Sequence, residues 1–209
     1  EAVRNIISGH TLKLEGKVQR EEAARQKSIA LTMEKNNLDS RIHLLSEMEK
    51  EYEGFNKAVR LVMQAAEKST LRGIHGPVAN LMSTDKRCAA AIEIALGAGM
   101  QNIVVDREED AKSAIGFLKQ RDGGRATFLP LTAIRGDTLR EAGVEREYGY
   151  VGIASRLVRF DERYTEIFNS LLGRTVIVED IDCGIAMARK YNNRFRIVTL
   201  DGQVLNRGG

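Results

Sequence analysis

The first 70 residues carry apolar side chains at a spacing of seven, which is typical of a coiled coil. The positions between them are charged and of mixed sign, as on the solvated flanks of such a helix. The pattern therefore predicts a coiled-coil arm over residues 1–70. An ordinary amphipathic helix packed on the rest of the chain is the alternative. The apolar positions at this spacing are Leu31, Leu38, Leu45, Tyr52 and Val59, with Ile42 on the same face.

From residue 73 the pattern changes. Gly73–Pro77 contains two glycines and a proline, and it predicts a break. Beyond it, short β-rich runs alternate with segments of helical period, which indicates an α/β class with sheets covered by helices. The predicted strands are Val78–Ser83, Asn102–Asp106, Ala126–Leu131, Val151–Ala154, Thr175–Glu179 and Arg196–Leu200. The predicted helices are Arg87–Leu96, Glu108–Gln120, Glu162–Leu172 and Ile181–Tyr191.

This α/β part of the sequence is built twice. The apolar face of its first helix recurs in its third at a constant offset, and both helices end in Leu-Gly, at Gly97 and Gly173, where a left-handed cap favours glycine. The last strands, Arg125–Leu129 and Arg196–Leu200, also correspond. The repeat predicts two α/β subdomains, residues 73–131 and 151–209, joined through residues 132–150. The matching faces are Cys88, Ala91, Ile92, Ala95 and Leu96, and Tyr164, Ile167, Phe168, Leu171 and Leu172.

Charge adds only a weak indication of a partner. The 209 residues are 43% hydrophobic, enough for a core, and 32 Lys and Arg face 29 Asp and Glu for a net charge of +3. That balance permits weak nucleic-acid contact without the concentrated charge of a dedicated binder. Candidate DNA contacts gather before the break, and a solvated helical face is the alternative for them. They are Lys57, Arg60, Lys68 and Arg72.

Motifs for catalysis, metal and cofactor binding do not emerge from the sequence. Cys88 and Cys183 are far apart and belong to no Cys/His cluster, so we interpret them as buried thiols and predict no metal site. The chain has no P-loop and no GxGxxG after a strand. His75 has no evident activating partner in the sequence. No catalytic residue, cofactor, signal peptide or membrane span is predicted, and the chain reads as a piece of a longer protein.

Four segments resemble the hinge of bacterial SMC (structural maintenance of chromosomes) proteins, and the likeness extends over residues 70–209. They are Gly73–Gly76, Ala91–Gly97, Gly124–Leu131 and Arg196–Gly202. The resemblance implies two pseudo-symmetric subdomains and a two-fold dimer in which edge strands pair between protomers. It also implies a glycine signature, G-x6-G-x3-GG, whose final pair would lie beyond Gly209. The expected interface residues are Gly202, Gly208, Gly209, Leu205, Gly124 and Arg125.

The resemblance further implies that the chain is the homodimerisation hinge of an SMC ATPase that condenses and segregates chromosomes. ATP and Mg²⁺ are then expected only at the head domains of the full-length protein. The expected partners are a second copy, DNA bound weakly, and accessory subunits elsewhere on the full chain, in the cytoplasm at the nucleoid. The alternatives are a nucleic-acid-binding domain with secondary dimerisation and a small-molecule-binding α/β enzyme.

Overall fold

The computed structural model describes residues 2–208, without the side chains of residues 49 and 50. The chain divides after residue 54 into two compact units. The first unit consists mainly of helix α1, Ala2–Lys50. Leu31, Leu38 and Leu45 are exposed on α1, as expected of a stripe that packs on another helix. The prediction of a long N-terminal helix is confirmed.

The predicted arm of residues 1–70 is nevertheless too long. Tyr52 has a φ of +54°, outside the helical region, and a second helix, α2, runs over Lys57–Glu67 in the second unit. The side chain of Asn56 caps α2 by accepting a hydrogen bond from the Val59 amide at 3.0 Å. Val59 is fully buried, so it belongs to a globular core although it continues the spacing of seven.

The second unit contains the elements of the repeat in the same order in both halves. The first half comprises β1 (Ile74–Pro77), β2 (Met82–Thr84), α3 (Ala89–Leu96), β3 (Ile103–Val105), α4 (Glu108–Gln120) and β4 (Phe128–Pro130). The second half comprises β5 (Tyr150–Ile153), β6 (Val158–Phe160), α5 (Thr165–Leu172), β7 (Thr175–Val178), α6 (Ile181–Lys190), β8 (Arg196–Thr199) and β9 (Val204–Leu205). The predicted α/β class is confirmed. Among the strands of residues 2–208, β9 alone has no counterpart in the other half.

Three sheets follow from this order. The first is β1-β3-β4 and the third is β5-β7-β8-β9. In both, the first strand is antiparallel to the second, which is parallel to the next. The remaining sheet pairs β2 with β6 antiparallel, with Ser83 opposite Arg159 at its centre. A ribbon made of equivalent strands from the two halves therefore joins the repeats.

Several local predictions were wrong. The predicted break at Gly73–Pro77 contains β1, and the predicted strand Val78–Ser83 begins with a 3₁₀ turn, Val78–Leu81, before β2. Strands β6 and β9 were not predicted. Each is only two or three residues long, too short for its alternation to stand out from loop sequence.

The repeat also aligns differently at its last strand. In the sheets, Ile103 pairs with Phe128 and Val176 with Ile197, so Phe128 corresponds to Ile197. The sequence comparison placed Ala126 opposite Ile197, two residues away. Side chains in a strand alternate between faces with a period of two, so a shift of two leaves the apolar pattern unchanged and pattern comparison does not detect it.

Of the core clusters beside α3 and beside α6, the larger is shared by both halves. Helices α3 and α5 pack together in it, and the rings of Phe160 and Phe168 stack with centroids 4.4 Å apart. The subdomain boundaries at residues 131 and 151 therefore remain a prediction, because the apolar interior is continuous across them. The buried members of this core are Val78, Cys88, Ala91, Ile92, Ala95, Leu96, Val104, Ala154, Val158, Tyr164, Ile167, Phe168, Leu172, Ile177 and Val198.

The two helix-ending glycines serve different purposes. Gly97 has a positive φ of +49°, which favours glycine, but its ψ of −127° is not that of the predicted left-handed cap. Gly173 has a φ of −64°, so the same prediction was wrong there. A Cβ at Gly173 would lie 2.2 Å from the carbonyl oxygen of Asp137, so this glycine allows a close backbone approach by the connecting segment.

The connecting segment is also held to α6 by a polar cluster. Glu147 Oε1 accepts hydrogen bonds from Lys190 Nζ at 2.6 Å and from the Tyr191 hydroxyl at 3.0 Å. These bonds, that of Lys190 first, hold the pKa of Glu147 below its ordinary value. Because the pKa is lower in the folded state, the carboxylate stabilises the fold above its unfolded pKa, and this contribution disappears as pH falls through the folded value.

We expect Glu147→Gln to lower the melting temperature at pH 7 and to lower it much less at pH 3. Thermal unfolding followed by circular dichroism over pH 3–7 measures this. The matched control is Glu145→Gln at an exposed neighbouring position, which should change little. A Glu147→Gln deficit of the same size at both pH values would contradict the assigned role of the carboxylate.

Candidate self-association surface

The outer edge of β4 lacks the cover that its counterpart has. In the second half, β9 pairs with the outer edge of β8. Strand β4 is the first-half counterpart of β8, but it is the last strand of its sheet. No strand of the described residues pairs with its outer side. The chain after β4 turns away instead, and Ile134 N–H donates to Pro130 O at 3.0 Å. An uncovered strand edge is a surface on which another chain can add a strand.

Hydrogen bonds to β3 show which backbone groups of β4 face outward. Ile103 N–H donates to Thr127 O at 2.8 Å, and Leu131 N–H donates to Val105 O at 2.9 Å. Backbone groups of alternate residues point to opposite sides of a strand, so the N–H and C=O of Phe128 point away from β3. Pro130 offers only its C=O on that side.

Strand β9 presents a second open edge. Thr199 N–H donates to Gln203 O at 2.9 Å, Val204 lies opposite Val198, and Leu205 lies opposite Ile197. Because hydrogen-bonded and non-bonded pairs alternate along antiparallel strands, the N–H and C=O of Val204 point away from β8. The outer sides of β4 in the first half and of β9 in the second are therefore both unpaired by any strand of the described residues.

The predicted interface residues near β9 differ in what they present. The Leu205 side chain packs into a second core beside α6, where a Cβ on Gly184 would lie 2.8 Å from it. Val204, which was not predicted, is 36% exposed. Gly202 has a φ of +90° in the turn between β8 and β9, so replacing it strains the fold as well as any interface. Gly208 N–H donates to Asn193 O, and Gly209 lies outside the described residues.

The predicted residues Gly124 and Arg125 lie just before β4. With Ala126 they line a groove beside α4, together with Ile115, Leu118, Lys119 and Asp122. Gly124 has a φ of +82° and Arg125 is exposed. They are thus placed next to the open edge of β4, and their role in an interface stays a prediction.

The four candidate DNA contacts lie on or next to α2. Lys57 Nζ donates to the Asp122 carbonyl oxygen at 3.0 Å, which ties α2 to the end of α4. Arg60, Lys68 and Arg72 are exposed. Arg72 lies in a cleft with Asp106 and other polar residues, which reduces the local positive field.

A histidine cluster that the sequence did not predict joins the two halves. His75 Nε2 lies 2.7 Å from Asp106 Oδ1, and His75 Nδ1 lies 3.0 Å from the Tyr164 hydroxyl. Burial is the main cause that raises the pKa of Tyr164. His75 and Tyr164 are 89 positions apart in sequence, so only the fold brings them together. The cluster links β1 to the start of α5 and does not lie at either open edge.

Other kinds of site receive no support from the described residues. Within residues 2–208, no three His, Cys, Asp or Glu side chains are placed to hold a metal ion together. In the same part of the chain, no helix is long and apolar enough to cross a membrane.

Comparison with known proteins gives a consistent match. The family model for the SMC proteins flexible hinge domain matches residues 71–188. The chromosome partition protein Smc of Bacillus subtilis is 43% identical over 173 residues, covering 81% of this chain and 14% of that protein. The Smc protein of Methanocaldococcus jannaschii is 43% identical over 171 residues, covering 82% and 14%. The chain therefore spans about one seventh of the length of these relatives.

Solved structures agree with the sequence matches. An asymmetric dimer of the Geobacillus stearothermophilus SMC hinge domain aligns with a TM-score of 0.78 at 41% identity, covering 82% of this chain and 68% of that one. The Pyrococcus furiosus SMC hinge domain aligns with a TM-score of 0.63 at 30% identity, covering 79% and 84%.

Proposed function

Because the chain belongs to the family of SMC protein flexible hinge domains, we propose that it joins two coiled-coil arms by forming a two-fold homodimer. The observation that carries the proposal is the pair of open edges. The β4 edge of one copy would pair with the β9 edge of the other, and a two-fold axis would make this contact twice. The groups that would meet are the outward N–H and C=O of Phe128 and of Val204.

A hinge role is not catalytic. The matched family is named for a flexible hinge, so the prediction that this segment is not itself an enzyme is confirmed. We propose that nucleotide chemistry, with ATP and Mg²⁺, belongs to head domains in the full-length protein, where accessory subunits also bind. We further propose that the full-length protein acts on chromosomes in the cytoplasm, at the nucleoid, in their condensation and segregation.

Sedimentation of the whole chain tests the homodimer. We expect a species of twice the 23.2 kDa chain mass at concentrations of roughly 1–100 µM, the range in which micromolar dissociation constants are measured. A strict monomer over that range would contradict the proposal.

The exposed stripe of α1 could also associate, so the experiment needs a control. The double variant Leu38→Glu and Leu45→Glu places two charges on that stripe and leaves the residues of β4 and β9 unchanged. Dimerisation that survives this change comes from the globular unit. Dimerisation that disappears with it would show that α1, and not the strand edges, joins the copies.

We also propose weak DNA contact by Arg60, Lys68 and Arg72, which are exposed and make no ion pair among the described residues. Binding by such residues depends on salt, with log K falling by about 0.9 per phosphate neutralised, so three contacts give a slope of roughly −2.7. Fluorescence anisotropy with a labelled duplex measures it. Absence of binding at low salt would remove DNA from the proposed partners.

A further inference from the structure

A small apolar surface beside β9 is built from both halves of the chain. Ile94, near the end of α3, is 41% exposed. A Cβ on Gly202 would lie only 3.2 Å from Ile94 Cγ1, so the isoleucine packs directly over the turn that leads into β9. The first half thus covers part of a turn that belongs to the second.

Val204 lies on the same face of the sheet. It is opposite Val198, and side chains of directly opposed residues in an antiparallel pair share a face. Val198 belongs to the core that α3 enters, so Val204 points to the α3 side, whereas Leu205 points to α6. Among the described residues of the second unit, only four large hydrophobic side chains are at least 36% exposed, and Ile94 and Val204 are two of them.

Arg196 holds this arrangement together. Its Nη1 donates to the Ala95 carbonyl oxygen at 2.8 Å and its Nη2 to that of Ile94 at 3.3 Å. A guanidinium at a helix C-terminus satisfies free carbonyl groups and faces the negative end of the helix dipole. The register that equates Phe128 with Ile197 makes Thr127 the counterpart of Arg196. Threonine lacks a guanidinium, so the residue equivalent to Arg196 beside β4 makes no such pair of hydrogen bonds to a helix end.

We propose that Ile94, Gly202 and Val204 form a contact surface for a second copy of this chain, and that Arg196 is its positioning residue. This inference rests on the proposed function, because the surface adjoins the free edge of β9 and would be covered by the copy that pairs there. A strand added at β9 brings side chains over both faces of the sheet, and on the α3 face they meet Ile94 and Val204. Arg196 fixes the height of Ile94 above that edge by binding the end of α3 to β8.

The contact surface is tested with Ile94→Glu in the whole chain, measured by sedimentation equilibrium. We expect the dimer dissociation constant to rise at least tenfold while the melting temperature stays close to that of the wild type, because position 94 is exposed. The matched control is Ala89→Glu, which adds the same charge to an exposed position five residues earlier on α3. It should leave the dissociation constant within about twofold.

The positioning role is tested with Arg196→Gln and Arg196→Lys. We expect Gln to raise the dissociation constant about fivefold or more and Lys, which keeps a donor and the charge, to restore part of the affinity. If Gln lowers only the melting temperature and leaves association unchanged, Arg196 is merely structural. If Ile94→Glu dimerises as the wild type does, the contact surface is refuted while the hinge dimer stands. A wild-type chain that stays monomeric overturns both.

Discussion

A Val204→Pro variant should stay folded and lose most of its self-association. The Val204 amide points away from β8, so proline removes no hydrogen bond of the β8–β9 pair. Proline is tolerated on such an edge, and its ring occupies the place from which an incoming strand would receive a hydrogen bond. A two-fold dimer loses this bond twice, at about 1 kcal/mol each. The dissociation constant should therefore rise about thirtyfold.

Sedimentation equilibrium gives the dissociation constant, and circular dichroism with thermal unfolding checks the fold. Val204→Thr is the matched control, since it keeps the amide N–H, the β-branch and nearly the same volume, and it should dimerise much like the wild type. A proline variant that associates with wild-type affinity would show that the copies pair through another edge. A proline variant that unfolds would show instead that the Val204 amide has an internal partner.

The architecture could be predicted from the sequence where apolar period and repetition were strong. Helix α4 matches its predicted bounds, Glu108–Gln120, because a clear apolar face is bounded by an acidic first turn and a double glycine. The order of elements in the two halves was also anticipated, since the faces of α3 and α5 recur at one offset. Both features depend on the spacing of apolar residues along the chain, which can be seen in the sequence itself.

Two predictions were wrong because one sequence pattern is compatible with two different structures. Val59 lies on α2 but continues the spacing of seven that begins on α1. The buried face of a helix in a globular core has the same residue types at nearly the same period. The discriminating signal was Asn56, a helix cap two positions after Gly54. The last strand of the repeat was misaligned by two for a related reason, because a two-residue shift preserves the inward and outward faces.

The candidate interface was only partly accessible from sequence. Glycines at positions 202 and 208 lie at the end of the fold where we propose the interface, yet which edge is open depends on strand pairing across the whole sheet. Val204 and Ile94 belong to no sequence motif, and they become notable only because the fold leaves both exposed on the α3 face of the sheet. Arg196 likewise gains its role from carbonyl groups 101 and 102 positions away, at Ala95 and Ile94.

Phe168→Ala should destabilise both halves of the globular unit together. Phe168 is fully buried, lies on α5 and stacks on Phe160, within a core that also contains residues of α3 and β3. Truncating a buried phenylalanine removes its burial free energy and leaves a cavity, which costs about 3–5 kcal/mol. A typical domain is stable by only about 5–15 kcal/mol, so the variant should be close to unfolding at 37 °C.

Urea unfolding measured by circular dichroism tests the size of the effect, and amide hydrogen exchange tests its reach. Because the core is continuous, protection should fall in α3 and β3 of the first half as well as in α5 and β7 of the second. Phe117→Ala is the matched control, since Phe117 is only partly buried and lies under the Arg121 guanidinium, so the same deletion should cost well under half as much. Loss of protection confined to residues 150–205 would mean that the halves are separate folding units. That result would support the predicted subdomain boundary over the shared core.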